Sequence, residues 1–296
     1  MDRWPWHLTS AKAWPATATT LKTGIVRLLT DAADRGVRIS GNLARSVHVA
    51  SSPFTRRGDV DRVTVDISGS RIQLDGDRLA RADRLVPTPR YDEIVERVPG
   101  SIGQLRLAAS PVTIEGHEVR AELSVRDLPL DWLIMRRDGE LVGTAGEHRG
   151  DGRANGSFRV ETTQEALVAL AEHIVSGAFR HVRGAKLESI AATISPHGAD
   201  RLTVAGGAAF KAFFLRFSVR IGADVTIARD GTATVHRATA ASRRILSKLA
   251  LLPLRGRLRA LAGRSFPLGG DAFALSDVVV DASGGRLVVT GDLSSR

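Results

Sequence analysis

The sequence predicts an α+β protein in which a long, strongly curved antiparallel β-sheet wraps around amphipathic helices. Apolar residues recur at every second position through most of the chain, glycine-marked turns separate these runs, and two stretches switch to helical spacing. With 296 residues and 43% hydrophobic content, the chain can build one large core or two small ones.

Thr17 to Asp34 carries Leu21, Ile25, Leu28 and Ala32 at intervals of three and four, and Gly36 follows where a left-handed cap would end a helix. The period then falls to two at Val47 and Val49, at Val63, Val65 and Ile67, and at Ile72 and Leu74, with Gly58, Gly69 and Gly76 at the breaks. Asp77 to Gly100, with prolines at 87, 89 and 99 around a short helix from Tyr91 to Arg97, reads as a connection covering one end of the sheet. Leu105, Leu107, Val112 and Ile114 pair as a hairpin with Val119, Ala121, Leu123 and Val125 across Glu115-Gly116-His117. Asp131 to Arg137 reads as one or two helical turns, and the glycine-rich, charged Gly139 to Gly156 as an exposed loop.

Thr162 and Glu165 form a capping-box pair ahead of Leu167, Leu170, Ile174 and Ala178, which predicts a second amphipathic helix from Thr163 to Phe179. Strands follow at Leu187 to Ile194 and Leu202 to Gly206. From Phe213 to Ile227 the apolar side chains Phe213, Leu215, Phe217, Val219, Ile221, Ala223, Val225 and Ile227 share one face, and the other face is largely polar. At about 3.3 Å per residue this strand is roughly 50 Å long, so it must curve or coil. A strand from Thr232 to Arg237, a basic helical segment from Ala241 to Gly263 and a hairpin pairing Phe273–Asp281 with Arg286–Leu293 complete the chain. This order divides into an N-terminal segment and helix (1–40) and a curved-sheet domain (41–296), the latter reading loosely as two halves (41–160 and 161–296).

The net charge of +10 suggests an anionic partner. Its distribution is uneven. No acid occurs between Asp230 and Asp271, while Arg237, Arg243, Arg244, Lys248, Arg255, Arg257, Arg259 and Arg264 do. Ile245, Leu249 and Leu252 form one apolar stripe there, and Leu254, Leu258 and Leu261 a second, offset by Pro253 and Gly256. Such a segment either lays its leucines on the sheet with the arginines solvated, or docks on anionic headgroups at about 1 kcal/mol per basic side chain. Trp4, Trp6 and Trp14 admit two readings as well, an interfacial anchor or rings docked on their own domain.

Chemistry is hard to find. Cysteine is absent, which excludes thiolate catalysis, and the eight histidines show no ligand spacing. There is no G-x-S-x-G elbow and no P-loop. With one Tyr and no helix-turn-helix or finger pattern, nothing supports specific nucleic-acid recognition. The expectation is a protein that is not an enzyme and carries no metal or cofactor. No run of about 18 to 20 apolar residues and no signal-peptide pattern occurs, so a cytoplasmic or peripheral inner-membrane location is expected.

Val47-His48-Val49-Ala50-Ser51-Ser52-Pro53-Phe54, Asp61-Arg62-Val63-Thr64-Val65-Asp66-Ile67, the helix running into Phe266-Pro267-Leu268, Leu275-Ser276-Asp277-Val278-Val279-Val280 and Gly284-Gly285-Arg286-Leu287-Val288-Val289-Thr290-Gly291 are similar to the LmeA-type phospholipid-binding proteins of actinomycete cell envelopes. The resemblance spans about residues 37 to 293 and is one of pattern, without a diagnostic motif. It implies a tubular lipid-binding-like fold and an apolar groove for acyl chains. Members begin with an export signal or anchor, which is not found here, and the 139–156 stretch does not align.

Together these observations predict non-enzymatic binding of a phospholipid or related acyl lipid at an anionic membrane surface. Phe213, Leu215, Phe217, Val219 and Ile221 would line the groove against Leu170 and Ile174 of the second helix, and Arg243, Arg244, Lys248, Arg255, Arg257 and Arg259 would meet headgroups or membrane. The alternatives are a scaffold with a closed core, since any sheet buries one face, and a nonspecific nucleic-acid binder.

Overall fold

The computed structural model describes residues 6–14, 17–51, 58–75, 78, 93–137, 139–148, 153–179, 185–196, 201–212, 215–241, 262–267 and 273–295. The chain opens with a short strand β1 (Trp6–His7), a 3-10 turn (Ala11–Ala13), helix α1 (Ala18–Asp31) and a second 3-10 turn (Ala32–Arg35). Next come β2 (Val37–Ile39), α2 (Leu43–Ser46), β3 (Val47–Ala50), β4 (Asp59–Asp66) and β5 (Arg71–Leu74). The hairpin of β6 (Glu93–Ile114) and β7 (His117–Arg137) is followed by β8 (Glu140–Glu147), β9 (Asn155–Thr163) and α3 (Gln164–Phe179). The chain then forms β10 (Ala185–Pro196), β11 (Arg201–Ala212), β12 (Leu215–Ile227), β13 (Thr232–Ala241), β14 (Ser265–Pro267), β15 (Phe273–Ser283) and β16 (Arg286–Ser295).

The strands form two sheets. One is 11-stranded with the path β15-β16-β9-β7-β6-β4-β3, and β10 to β14 form a 5-stranded antiparallel meander. The predicted sheet wrapped around amphipathic helices is therefore wrong. Among the described residues strand outweighs helix 66% to 17%, and the helices do not form a centre for either sheet. The larger sheet is also mixed, because β4 and β5 both run parallel to β6. These partners are distant in sequence, and alternation fixes a strand's faces without choosing its neighbour or direction.

β6 and β7, of 22 and 21 residues, would each be about 70 Å long if straight. Their pairing slips by a residue between Ile94 and Glu96 and between Ala109 and Val112, and such bulges bend a strand and increase its twist. Their length replaces three expectations. Glu93–Arg97 is strand, where a short helix was expected; Asp131–Arg137 continues β7; and Glu140–Glu147, expected as loop, is β8, paired to β7 and β1.

The helical spacing of α1 holds, with Thr17 as N-cap accepting a hydrogen bond from the Thr20 amide and Gly36 at φ 92 ending the following 3-10 turn. α1 packs on β3. For α3 the cap is one residue later than the capping box implied: Thr163 Oγ1 accepts from the Ala166 amide at 3.1 Å, while Thr162 stays in β9 with its hydroxyl buried and unpartnered.

The main core joins α1 to one end of the large sheet through Leu21, Val47, Val60, Val63, Val65, Leu130 and Ile134. At its centre Trp14, fully buried, stacks edge-on with Trp132 at 5.2 Å and lies 4.9 Å from Trp6. Trp14 Nε1 donates to the Thr144 carbonyl and Trp132 Nε1 to the Gly58 carbonyl, as buried indoles require. Trp6 and Trp14 are thus docked on their own domain. Gly24 and Gly143 make room for them, since a Cβ at either position would overlap the Trp6 or Trp14 ring.

Candidate functional site

The register across the large sheet aligns its apolar positions. One row runs Val49, Val63, Leu105, Val125, Gly156, Leu293 and Leu275. The next runs Val47, Val65, Leu107, Leu123, Phe158 and Gly291, and a third Ala109, Ala121, Val160, Val289 and Val280. The intervening rows are polar and include Arg106, Ser124, Ser157 and Asp292, then Glu122 and Arg159, then Arg120 and Glu161. One face of the sheet is therefore apolar from β3 to β15 and the other carries charge, as strand alternation dictates.

Among the described residues, that apolar face is covered at its margins and open in its middle. Toward β3 and β4 the α1 core seals it. At one end Val125, Ala154 and Leu293 cluster with Phe273, Leu275 and Leu128, and at the other Val112, Thr162 and Ala166 are buried where α3 begins. Between them Leu107 is 37% and Val160 38% exposed, on the face where Val125 is 1% exposed. Ala109, Ala121, Leu123, Phe158 and Val289 around them are only partly buried. From β6 to β16 this band is about 14 Å wide at ordinary strand spacing. Exposed apolar area lying in contiguous rows on an interior face is a feature of binding surfaces, unlike scattered single residues.

Among the described residues no acid, base or metal cluster faces this band. Among the described residues no group of His, Asp and Glu is arranged to hold a metal ion. The principal buried ionic group lies elsewhere, on β7: Asp131 accepts from Arg97 at 2.9 Å and from His148 Nδ1 at 2.8 Å. Burial pushes the Asp131 carboxyl up, but the hydrogen bonds from His148 and Arg97 outweigh it and hold the group below the usual carboxylate range. This cluster fastens the chain beyond β8 to the edge of β7. On the polar face Glu161 accepts from Arg159 and Arg286 and lies near Arg120, and these arginines hold its carboxyl low. A separate groove of about 520 Å³ lies between α1, α2 and β3. Its lining includes Val49, at the outer end of the first apolar row, and Lys22 as its charged residue.

Neither a family model, nor a curated protein, nor a solved structure is similar to the chain.

Of the thirteen residues predicted from sequence, four fall on the smaller sheet. Leu215, Phe217, Val219 and Ile221 lie on β12, and the register puts them on one face beside Ala212, Phe210, Ala208 and Gly206 of β11. Phe213 lies outside the described residues, as do Arg243, Arg244, Lys248, Arg255, Arg257 and Arg259. Leu170 and Ile174 lie on α3, where Leu170 is partly buried. α3 packs against β10, two strands from β12 in the sheet order. The open band of the larger sheet was missed as a site, although its alternation at 105–107 and 119–125 was visible; its openness depends on what packs over it. No helix among the described residues is long and apolar enough to cross a membrane.

Proposed function

We propose that the protein binds an acyl lipid, without catalysing a reaction on it, along the open apolar band of the large sheet. The observation that carries this reading is the exposure of Leu107 and Val160 on an otherwise interior face, in rows continuous with the buried core. An acyl chain laid across β6, β7, β9 and β16 would gain about 0.8 kcal/mol per buried CH₂, less the cost of ordering it. The resemblance of sequence pattern to LmeA-type phospholipid-binding proteins points to the same ligand class. The scaffold alternative requires a closed face, and the partly exposed rows argue against it.

Native mass spectrometry of the full chain purified from a bacterial host without detergent, followed by organic extraction, tests the proposal. A stoichiometric lipid adduct is expected. A lipid-free protein that also fails to take up phospholipid from vesicles contradicts it.

A further inference from the structure

The row that closes the apolar band toward α3 contains one polar side chain. On the face of Val160 this row runs Val112, Val119, Thr162, Leu287 and Ala282, so the cross-strand neighbours of Thr162 are aliphatic on both sides. Thr162 is 6% exposed, and its Oγ1 is buried without a hydrogen-bond partner among the described residues. Asp131 and Thr144, the other buried polar side chains among them, both have partners. A buried hydroxyl left unpaired costs stability, and valine has nearly the same shape without that cost. The fold alone therefore gives no reason for threonine here.

The position of this hydroxyl gives one. Thr162 follows Val160 on the same face of β9, about 7 Å further along the strand, and Val160 is a 38% exposed member of the open band. A change of staggered χ1 rotamer re-aims the hydroxyl without moving β9. α3 begins directly after it, with Thr163 Oγ1 accepting from the Ala166 amide at 3.1 Å and the Gln164 amide donating to the Gly285 carbonyl at 2.9 Å. The N-terminal end of a helix favours an electron-rich oxygen nearby. A full negative charge is less well served. Neither this row nor the one before it, Ala109, Ala121, Val160, Val289 and Val280, contains a charged residue, and Arg120, Arg159 and Arg286 gather around Glu161 on the opposite face. A carboxylate buried here would lack a counter-ion, whereas a neutral carbonyl needs only a donor.

We infer that Thr162 Oγ1 recognises the polar end of the bound lipid, donating a hydrogen bond to the carbonyl oxygen of an acyl ester whose hydrocarbon chain lies along the band. The inference rests on the proposed acyl-lipid function and adds to it a place and a chemistry for the ligand's polar group. From Thr162 the chain runs over Val160 toward Leu107 and Phe158. An ester is selected over a free fatty acid because these rows hold no charge to meet a carboxylate, and over an ether because the carbonyl is the acceptor.

The test is competition between dipalmitoyl phosphatidylcholine and its dihexadecyl ether analogue for the full chain, read by native mass spectrometry. The two lipids differ only in the ester carbonyls. One neutral hydrogen bond corresponds to about three- to tenfold in affinity, so wild type is expected to prefer the ester by that factor. Thr162→Val should abolish the preference by weakening the ester alone, with Tm equal to or above that of wild type, and Thr162→Ser should restore it. Equal binding of ester and ether by wild type, or a preference that survives in Thr162→Val, overturns the inference. If Thr162→Val lowers Tm and weakens both lipids alike, the hydroxyl serves the fold and the inference is likewise overturned. Tighter binding of palmitate than of methyl palmitate at neutral pH assigns a carboxylate to this end and overturns the ester assignment. Binding of both phosphatidylcholines without preference leaves the acyl-lipid proposal standing and removes this inference alone; binding of neither removes both.

Discussion

Strands β6 and β7 pass through two environments. Around Leu130 to Met135 every residue of β7 is buried, with Trp14 and Trp132 packed into the main core and Leu133, Met135 and Val142 forming a further cluster. Some ten residues earlier along β7, and paired to the same partner, Leu123 and Ala121 stand beside Leu107 and Val160 on a face left partly open. Both stretches are paired to β6; among the described residues only one of them receives a lid. In this protein the lid is local sequence: Trp6, Trp14 and α1, with glycines at 24 and 143 to admit the rings. A periodic pattern therefore identifies an apolar face, and what covers it decides whether that face is core or site.

The largest expected effect is at the sealed end. Trp132→Ala removes a ring whose exposure is 1% together with its hydrogen bond to Gly58. It should cost about 3–5 kcal/mol, read as a drop in the denaturant midpoint, with no comparable change from Val160→Ala. Asp131→Asn comes next. It weakens the contacts to Arg97 and His148 and should cost about 1–3 kcal/mol. Because the Asp131 carboxyl is held low in the folded state, its contribution is fully present above the ordinary carboxylate pKa of about 4 and is lost as pH falls through the lower folded value. Urea titrations of wild type and variant should therefore converge on acidification below that range.

Gly143→Ala is expected to be smaller but clear, because its Cβ would lie 2.6 Å from the Trp14 ring. Overpacking of this kind costs about 1–3 kcal/mol, measured as a fall in Tm, whereas alanine at Gly139, with open space around it, is strained only by its positive φ. At the open band, Leu107→Ser should change stability by about 1 kcal/mol or less, since much of the side chain already meets solvent. The same change should reduce lipid loading in native mass spectrometry, reversing the order of effects between the two regions.

The two long helices and the faces of β12 were legible because their spacing and turn residues are local. α3 was placed from Leu167, Leu170, Ile174 and Ala178, and only its cap was misassigned, to Thr162 in place of Thr163. The continuous apolar run Trp132–Met135 has no period of its own, so helix and doubly buried strand could not be told apart. β8 was hidden by Gly143 and Gly146, which are small because Trp14 and Leu133 occupy the space beside them. The parallel pairing of β4 with β6, and the return of β15 and β16 to β9, join residues too far apart in sequence for any local signal. The band at Leu107 and Val160 required that topology before it could be recognised.

The most direct test compares Val160→Lys with Val279→Lys. Both valines are exposed, at 38% and 48%, in the same sheet; the register puts Val160 on the apolar face beside Ala121 and Val289, and Val279 on the polar face opposite Thr290. Lipid loading measured by native mass spectrometry should fall sharply for Val160→Lys and remain at the wild-type level for Val279→Lys. Equal loading in both variants, with both folded, would contradict the assignment of the open band as the lipid site.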